Sequence, residues 1–335
     1  MIIGIGGVSR AGKSTLAERL KEHFEKKGKT ASVYCQDEYV KPTISLPKVQ
    51  GVPDWERPST IKWDKLLKSE PKPLHLRNCL NFEYSEFVET VMSDDFEAAA
   101  QLVKNVYAGD ALILKNALNE ESIQTLKSRA TSFGASVAST RLRIVDGCPD
   151  WHEINDGQGV PEGGYQTLDH SFYFFRWNDT GKSIFETIDA VWRIGKIFNG
   201  LPPDAFNSNS PNDDVVDRIQ IIQYPKGGGL ISPHHDPDIY MKCNLGFYLT
   251  TKHTDYHEGG FFIVDGDGKQ KLLEDSIGSG CLLIWYASLP HGVIPVDPEA
   301  KLDWSSSEGR WFVAANSVQP HGIKERRYAV PYSFD

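Results

Sequence analysis

The sequence predicts a mainly β protein, a jelly roll with flanking helices, preceded by a small α/β fragment. Three observations predict it. From Val216 onward, eight short β-prone runs alternate with Gly, Pro and polar turns, the pattern of a sandwich or barrel and the strand count of a jelly roll. Ahead of them the apolar spacing is largely helical. The first seventy residues instead read strand, glycine loop, helix, strand.

At 335 residues the chain is long enough for two domains, or for one large domain with an appendage. A hydrophobic share of 40% supports a sizeable core, and a net charge of −9 without a Lys/Arg-rich block argues against a nucleic-acid partner. Five cysteines (35, 79, 148, 243 and 281) are scattered without a CxxC spacing. That disfavours a disulfide framework and suits a reducing compartment. Met1–Ile5 lacks the basic n-region and apolar run of a signal peptide, and no stretch approaches the roughly 20 apolar residues of a membrane span. The expectation is a cytoplasmic protein with neither a membrane nor a nucleic-acid partner.

Met1–Gly6 is a short apolar run, followed by Gly7-Val8-Ser9-Arg10-Ala11-Gly12-Lys13-Ser14, a full GxxxxGK[ST] match. Thr15–Lys27 then places Leu16, Leu20 and Phe24 on one side, with Gly28 as a stop. Strand, loop and helix are the setting this P-loop motif needs. Backbone N–H groups from Gly7 to Gly12 would cradle phosphates, Lys13 would reach the β/γ-phosphates and Ser14 would meet Mg²⁺. A second strand, Thr30–Cys35, ends at Gln36-Asp37. Together with Lys41-Pro42 and Asp54-Trp55-Glu56-Arg57-Pro58, these residues resemble the nicotinamide riboside kinase/uridine kinase family over about residues 1–68. The resemblance implies an ATP/Mg²⁺ site and makes Asp37 an acid near the phosphoryl acceptor. Only two of the roughly five strands of such a kinase are readable, so the segment reads as a truncated domain, with nucleoside-type kinase activity as the alternative function.

Ser69-Glu70-Pro71-Lys72-Pro73 is a polar, Pro-rich break. It divides a P-loop fragment (1–70) from a linker (71–80) and a large domain (81–335) whose core spans about 216–318. Asn81–Ala108 reads as helical, 111–116 as a strand, and Asn119-Glu120-Glu121-Ser122 as the cap of a helix ending near Phe133. The aromatic run 171–177 reads as core or pocket wall. Ser183–Phe198 reads as a helix with Ile184, Ile188, Val191 and Trp192 inward, and Gly195 on that stripe would let another element approach closely. The eight strands are expected at 218–224, 230–235, 243–250, 260–264, 272–275, 281–286, 292–296 and 310–317.

On the second of these strands His234 and Asp236 share a face, because the strand period is two. An imidazole and a carboxylate make two-thirds of a facial metal site, and His291 is the candidate third ligand. Two His and one carboxylate suit Fe(II) with open positions, and a zinc hydrolase could use the same set.

The order of motifs is more specific. His234-x-Asp236 is followed by Tyr248-Leu249-Thr250, Gly259-Gly260, Gly280 to Trp285, His291-Gly292-Val293-Ile294-Pro295-Val296 and Gly309-Arg310. This resembles the Fe(II)/2-oxoglutarate-dependent dioxygenases, nearest the prolyl 4-hydroxylase-like branch, over about residues 105–320. Thr250 stands where the family has Asn, and Trp285 where it has Phe. The resemblance implies a double-stranded β-helix, with His234, Asp236 and His291 on Fe(II). It implies Arg310, helped by Tyr224, on the far carboxylate of 2-oxoglutarate. It also implies oxidation of 2-oxoglutarate by O₂ to succinate and CO₂, with hydroxylation of an unactivated C–H of a small molecule or peptide and ascorbate as reductant in vitro. Arg310 follows His291 by 19 residues, a longer gap than the family's, which a polar loop at 297–308 would explain. Lys301 or Arg326 are the alternative cations.

Other residues have plainer readings. His235 points away from the ligand face, His253 and His257 fall in a loop, and His321 reads as a surface residue. Asn244 and Tyr248 read as core or pocket packing within reach of the cosubstrate, and Trp285 and Trp311 as core.

Overall fold

The run Val216–Pro225 (β5) carries the longest pairing in the molecule, with Gly309–Val318 (β12) antiparallel to it in unbroken register from Val216↔Val318 to Pro225↔Gly309. Such continuity follows from long β-branched and aromatic runs on both strands, which pack well on a pleated surface. In the computed structural model, residues 21–27, 48–49, 52–53, 72–92, 96–158 and 164–334 are described. Gly7, Gly12, Lys13, Ser14 and Asp37 lie outside these residues, as does most of the 1–70 fragment; of its expected helix, residues 21–26 are described and helical.

Apart from the two-residue strands Lys48–Val49 and Val52–Pro53, which pair with each other, the remaining strands are Cys79–Glu83 (β1), Ala111–Lys115 (β2), Trp151–Asp156 (β3), Thr167–Phe175 (β4), Gly229–His235 (β6), Cys243–Tyr248 (β7), Gly260–Val264 (β8), Gln270–Leu272 (β9), Leu282–Tyr286 (β10), His291–Val296 (β11) and Val330–Pro331 (β13). Together they form a single thirteen-stranded sheet, ordered β9-β8-β11-β6-β4-β5-β12-β7-β10-β2-β1, with β13 also on β6 and β3 on β4. Strand β4 pairs with both β5 and β6, and there the sheet folds over. Four strands (β9, β8, β11, β6) therefore face four others (β5, β12, β7, β10). Phe261 of β8 stands 5.2 Å from Trp285 of β10 and 6.4 Å from Phe312 of β12, ring centre to ring centre. These two facing four-stranded halves, built from seven of the expected strands and a shifted fifth, make a double-stranded β-helix.

Helices cover the outside of the β5-β12-β7-β10 half. Tyr84–Met92 (α1) and Phe96–Tyr107 (α2) precede β2. Glu120–Ser136 (α3) starts at Asn119, whose side chain accepts the Ser122 N–H at 2.9 Å. Lys182–Phe198 (α4) buries Ile184, Ile188, Val191 and Trp192. Gly195 lies so close to β7 that an added Cβ would stand 2.1 Å from Leu245 Cδ2, the close approach its place on the stripe predicts. Beneath α4, Asp217 accepts from Lys196 Nζ at 2.6 Å and from Arg176 Nε at 2.7 Å, a buried charge network with Asp189 beyond it. No helix among the described residues is long and apolar enough to cross a membrane.

Two expectations need correction. The segment 81–108 is not helical throughout: it opens on β1, which pairs in parallel with β2, because Leu80 and Phe82 alternate toward the core. The fifth core strand is Gln270–Leu272 rather than 272–275. Residues Glu274–Ser276 form a 3₁₀ turn instead, which sends Glu274 inward to a buried arginine.

Candidate metal and cosubstrate site

Strands β6 and β11 are antiparallel neighbours, and His234 and His291 are directly paired across them. Their ring centroids are 4.5 Å apart. Asp236 follows β6 by one residue, with Oδ1 3.8 Å from His234 Nε2 and Oδ2 3.3 Å from His291 Nε2. All three ligand atoms lie within 4.8 Å of one another. This is the only grouping of His, Cys, Asp and Glu among the described residues with the geometry to hold a metal ion.

The backbone sets the state of both imidazoles. His234 Nδ1 lies 2.8 Å from Ser232 O, and His291 Nδ1 lies 2.8 Å from Leu289 O. A ring nitrogen facing a carbonyl must carry the proton, so each Nε2 keeps its lone pair for a metal. Burial, and then His291, pull the His234 pKa down to about 4, which keeps it neutral. Burial would raise the Asp236 pKa, but His291 and His234 hold it well below the usual carboxylate range. Asn244 Nδ2 donates to Asp236 Oδ2 at 2.7 Å and fixes that oxygen. Two imidazoles with Nε2 turned inward and one carboxylate form the donor set that suits Fe(II).

Arg310 sits at the start of β12, opposite Tyr224 of β5, and is only 1% exposed. Its Nε donates to Glu274 Oε1 at 2.7 Å. Glu274 is buried too, and also accepts the Phe261 N–H at 2.7 Å and the Tyr256 hydroxyl at 2.5 Å. Arg310 Nη1 and Nη2 and Tyr248 Oη are buried without a hydrogen-bond partner among the described residues. The rings of Tyr224, Tyr248 and Phe312 surround the guanidinium, 4.9 to 5.3 Å from its carbon. Burial alone would lower this guanidinium's pKa, but Glu274 and the tyrosines hold it raised. A permanently charged fork with two unsatisfied donors, caged by aromatic rings, fits a carboxylate bound bidentately.

The expected residues thus fall into two adjoining groups: His234, Asp236 and His291 as one, Arg310 and Tyr224 as the other. Of the alternative cations, Lys301 is exposed in the 297–308 loop and Arg326 lines a cleft beside Asp236 that Arg310 does not line. His235 turns away from the ligands, its Nδ1 2.6 Å from Ser288 O. His253 is exposed, and Trp285 and Trp311 are buried. His321 is not a plain surface residue, because its Nδ1 accepts the Ile144 N–H at 2.8 Å and its ring lines the cleft. Glu274 and Tyr165 have no forewarning in the sequence. Glu274 hides in an expected strand, and Tyr165, whose ring stacks on His234 at 4.6 Å, follows a glycine pair that reads as loop.

No family model matches the chain. Two curated relatives match part of it. A uridine kinase of Chlamydia pneumoniae is 38% identical over 89 residues, 26% of this chain and 38% of its own length. A nicotinamide riboside kinase of Schizosaccharomyces pombe is 31% identical over 85 residues, 23% of this chain and 35% of its own. The chain thus spans little more than a third of these relatives. Among solved structures it is similar to a Pseudomonas putida prolyl-4-hydroxylase, at 12% identity over 64% of this chain and 96% of that one, with a TM-score of 0.40. It is also similar to a full-length Neurospora crassa protein in complex with alpha-KG and thymine, at 13% identity over 77% and 94%, with a TM-score of 0.43. A putative 2OG-Fe(II) oxygenase family protein from Caulobacter crescentus gives 14% identity over 70% and 85%, with a TM-score of 0.43. The fold assignment rests on the strand pairing described above.

Proposed function

We propose that this chain is a non-haem Fe(II)- and 2-oxoglutarate-dependent oxygenase that hydroxylates an unactivated C–H of a small molecule. The observation that supports it most is the pairing of two sites across the two facing halves of the sheet. One is a facial set of three ligands whose two imidazoles each turn Nδ1 to a backbone carbonyl and Nε2 inward. The other is a buried arginine whose two Nη groups lack partners.

In this reading His234, Asp236 and His291 hold the iron, which would supply dioxygen activation when bound. Arg310 holds the far carboxylate of 2-oxoglutarate, and Tyr248 offers its unpartnered hydroxyl to the same group. Tyr224, whose ring lies 5.3 Å from the guanidinium carbon, helps at the same carboxylate. Asn244 keeps Asp236 oriented, and Phe261, Trp285 and Phe312 exclude water from the space between iron ligands and arginine. A dry site strengthens each of these electrostatic contacts.

The test is succinate formation by the purified chain with Fe(II), ascorbate, 2-oxoglutarate and O₂, across a panel of small molecules and peptides, with His234→Ala as the blank. Succinate above that blank supports the reading. No succinate from fully iron-loaded protein, coupled or uncoupled, rejects it.

A second reading is favoured by the Gly7–Ser14 motif and the partial match to two kinases. Here the N-terminal segment binds ATP/Mg²⁺ through Gly7, Gly12, Lys13, Ser14 and Asp37. ATP-dependent phosphorylation of nicotinamide riboside or uridine, lost in Lys13→Ala, would support it.

A further inference from the structure

A cleft of about 880 Å³ opens beside Asp236 and is lined by four arginines. The chain has a net charge of −9, yet this wall presents Arg141, Arg218, Arg326 and Arg327. Glu153, Asp156, Asp169 and Asp236 share the lining, but among the described residues only Glu153 comes within ion-pair distance of one of these arginines. Arg141 lies 3.8 Å from Glu153, which is already engaged by the Tyr173 hydroxyl at 2.7 Å. Arg218 and Arg326 form no ion pair among the described residues. The cleft's Asp169 accepts from Asn155 and Ser171, and burial pushes its carboxyl up to about 7, so much of its charge is withheld near neutrality.

Two details mark a missing acceptor. Arg218 Nε is buried without a hydrogen-bond partner, while its Nη2 donates to Gln220 at 3.0 Å. His321 Nδ1 accepts the Ile144 N–H, so the neutral ring carries its proton on Nε2. That Nε2 faces Arg326 Nη1 at 2.7 Å, and two donors meet with no acceptor between them. Burial, and then the charges of Arg326, Arg143, Arg141 and Arg218, pull the His321 pKa down to about 4, so the ring stays neutral and carries a single proton.

The cluster is joined to the metal face. Arg218, Gln220, Ile222 and Tyr224 alternate along β5 and all line the cleft, as residues on one strand face must. Tyr165 also lines it, stacks on His234 and feels the charges of Asp236, Arg218 and Arg141. Its ring therefore links the metal face to the cleft.

We propose that Arg218 and Arg326, with His321 between them, receive an anionic group of the substrate, a carboxylate or phosphate, and hold a small molecule across Tyr165 toward the iron face. This rests on the oxygenase reading and names its substrate class. The cleft volume suits a small-molecule ligand, and guanidinium forks bind both oxyanions bidentately. Arg310 does not line this cleft, so the cosubstrate and the substrate anion have separate cations.

The experiment is a calorimetric titration of the full chain, with Mn(II) and saturating 2-oxoglutarate so that Arg310 is occupied. Inorganic phosphate and benzoate are titrated as the two probes. Saturable binding of either, weakened at least ten-fold in Arg218→Gln or Arg326→Gln and unchanged in Arg310→Gln, is the expected result, and the tighter probe names the group. Failure of both probes to bind overturns the proposal, as does binding unaffected by both variants. If Arg218→Gln does not fold, Arg326→Gln, on the C-terminal segment, decides alone. The titration needs neither iron nor turnover. Its failure alongside succinate formation therefore rejects only the anion site, and its success without succinate rejects only the oxygenase.

Discussion

Arg310 and Glu274 form a fully buried pair in which the guanidinium spends only its Nε: the bond to Glu274 Oε1 is 2.7 Å, and both Nη groups are left without partners. The carboxylate cancels the cost of burying the charge, while the fork stays open for a second anion. Arg310→Lys keeps the charge but loses the fork, and is expected to raise the KM for 2-oxoglutarate at least ten-fold with little change in melting temperature. Glu274→Ala leaves a buried cation uncompensated and is expected to cost about 3–5 kcal/mol, read from urea denaturation. A wild-type KM in Arg310→Lys would remove Arg310 from the cosubstrate site.

The metal ligands are expected to separate cleanly from their neighbours. His291→Ala and Asp236→Ala should abolish stoichiometric Fe(II) or Co(II) uptake. Asn244→Ala, which frees Asp236 Oδ2, should weaken uptake by roughly 10–100-fold. His235→Ala should leave it unchanged, since that ring bonds Ser288 on the other side of the strand. Metal content after gel filtration checks all four.

The close packing of α4 on β7 gives a stability test remote from the site. An added methyl at Gly195 would meet Leu245 Cδ2 at 2.1 Å. Gly195→Ala is expected to lose about 1–3 kcal/mol through overpacking, partly recovered in Gly195→Ala/Leu245→Val. A neutral or stabilised single variant would contradict that contact.

Acid sensitivity should trace in part to His170. Its Nε2 lies 2.8 Å from His152 Nδ1, and burial, then His152, pull its pKa from 6.5 down to about 4. The unfolded chain binds this proton below pH 6.5 and the folded chain does not until about pH 4. Stability is therefore lost as pH falls through that window. After discounting for partial exposure, the loss between pH 7 and 5 is roughly 1 kcal/mol, and His170→Gln should remove it from the urea midpoint.

Much of this was legible in the sequence, and the limits have physical causes. Seven of the eight core strands could be placed because Gly and Pro punctuate them, and the period of two put His234 and Asp236 on one face. The third ligand, 55 residues after Asp236, required the ordered motifs, since no local period connects β6 to β11. Glu274 was illegible because Leu272-Leu273 reads as strand, and only the tertiary demand of Arg310 for a counter-charge turns the next residues into a 3₁₀ turn. The arginine cleft was illegible because it assembles from 141, 218 and 326, positions brought together only by the fold.

The central claim, one site for Fe(II) and 2-oxoglutarate, is tested most directly by absorption spectroscopy under nitrogen. Fe(II) and then 2-oxoglutarate are added to the full chain. A visible metal-to-ligand charge-transfer band that needs both additions, vanishes in His234→Ala and requires more 2-oxoglutarate in Arg310→Lys is the predicted result. Iron-loaded wild-type protein that shows no band at saturating 2-oxoglutarate would contradict the account.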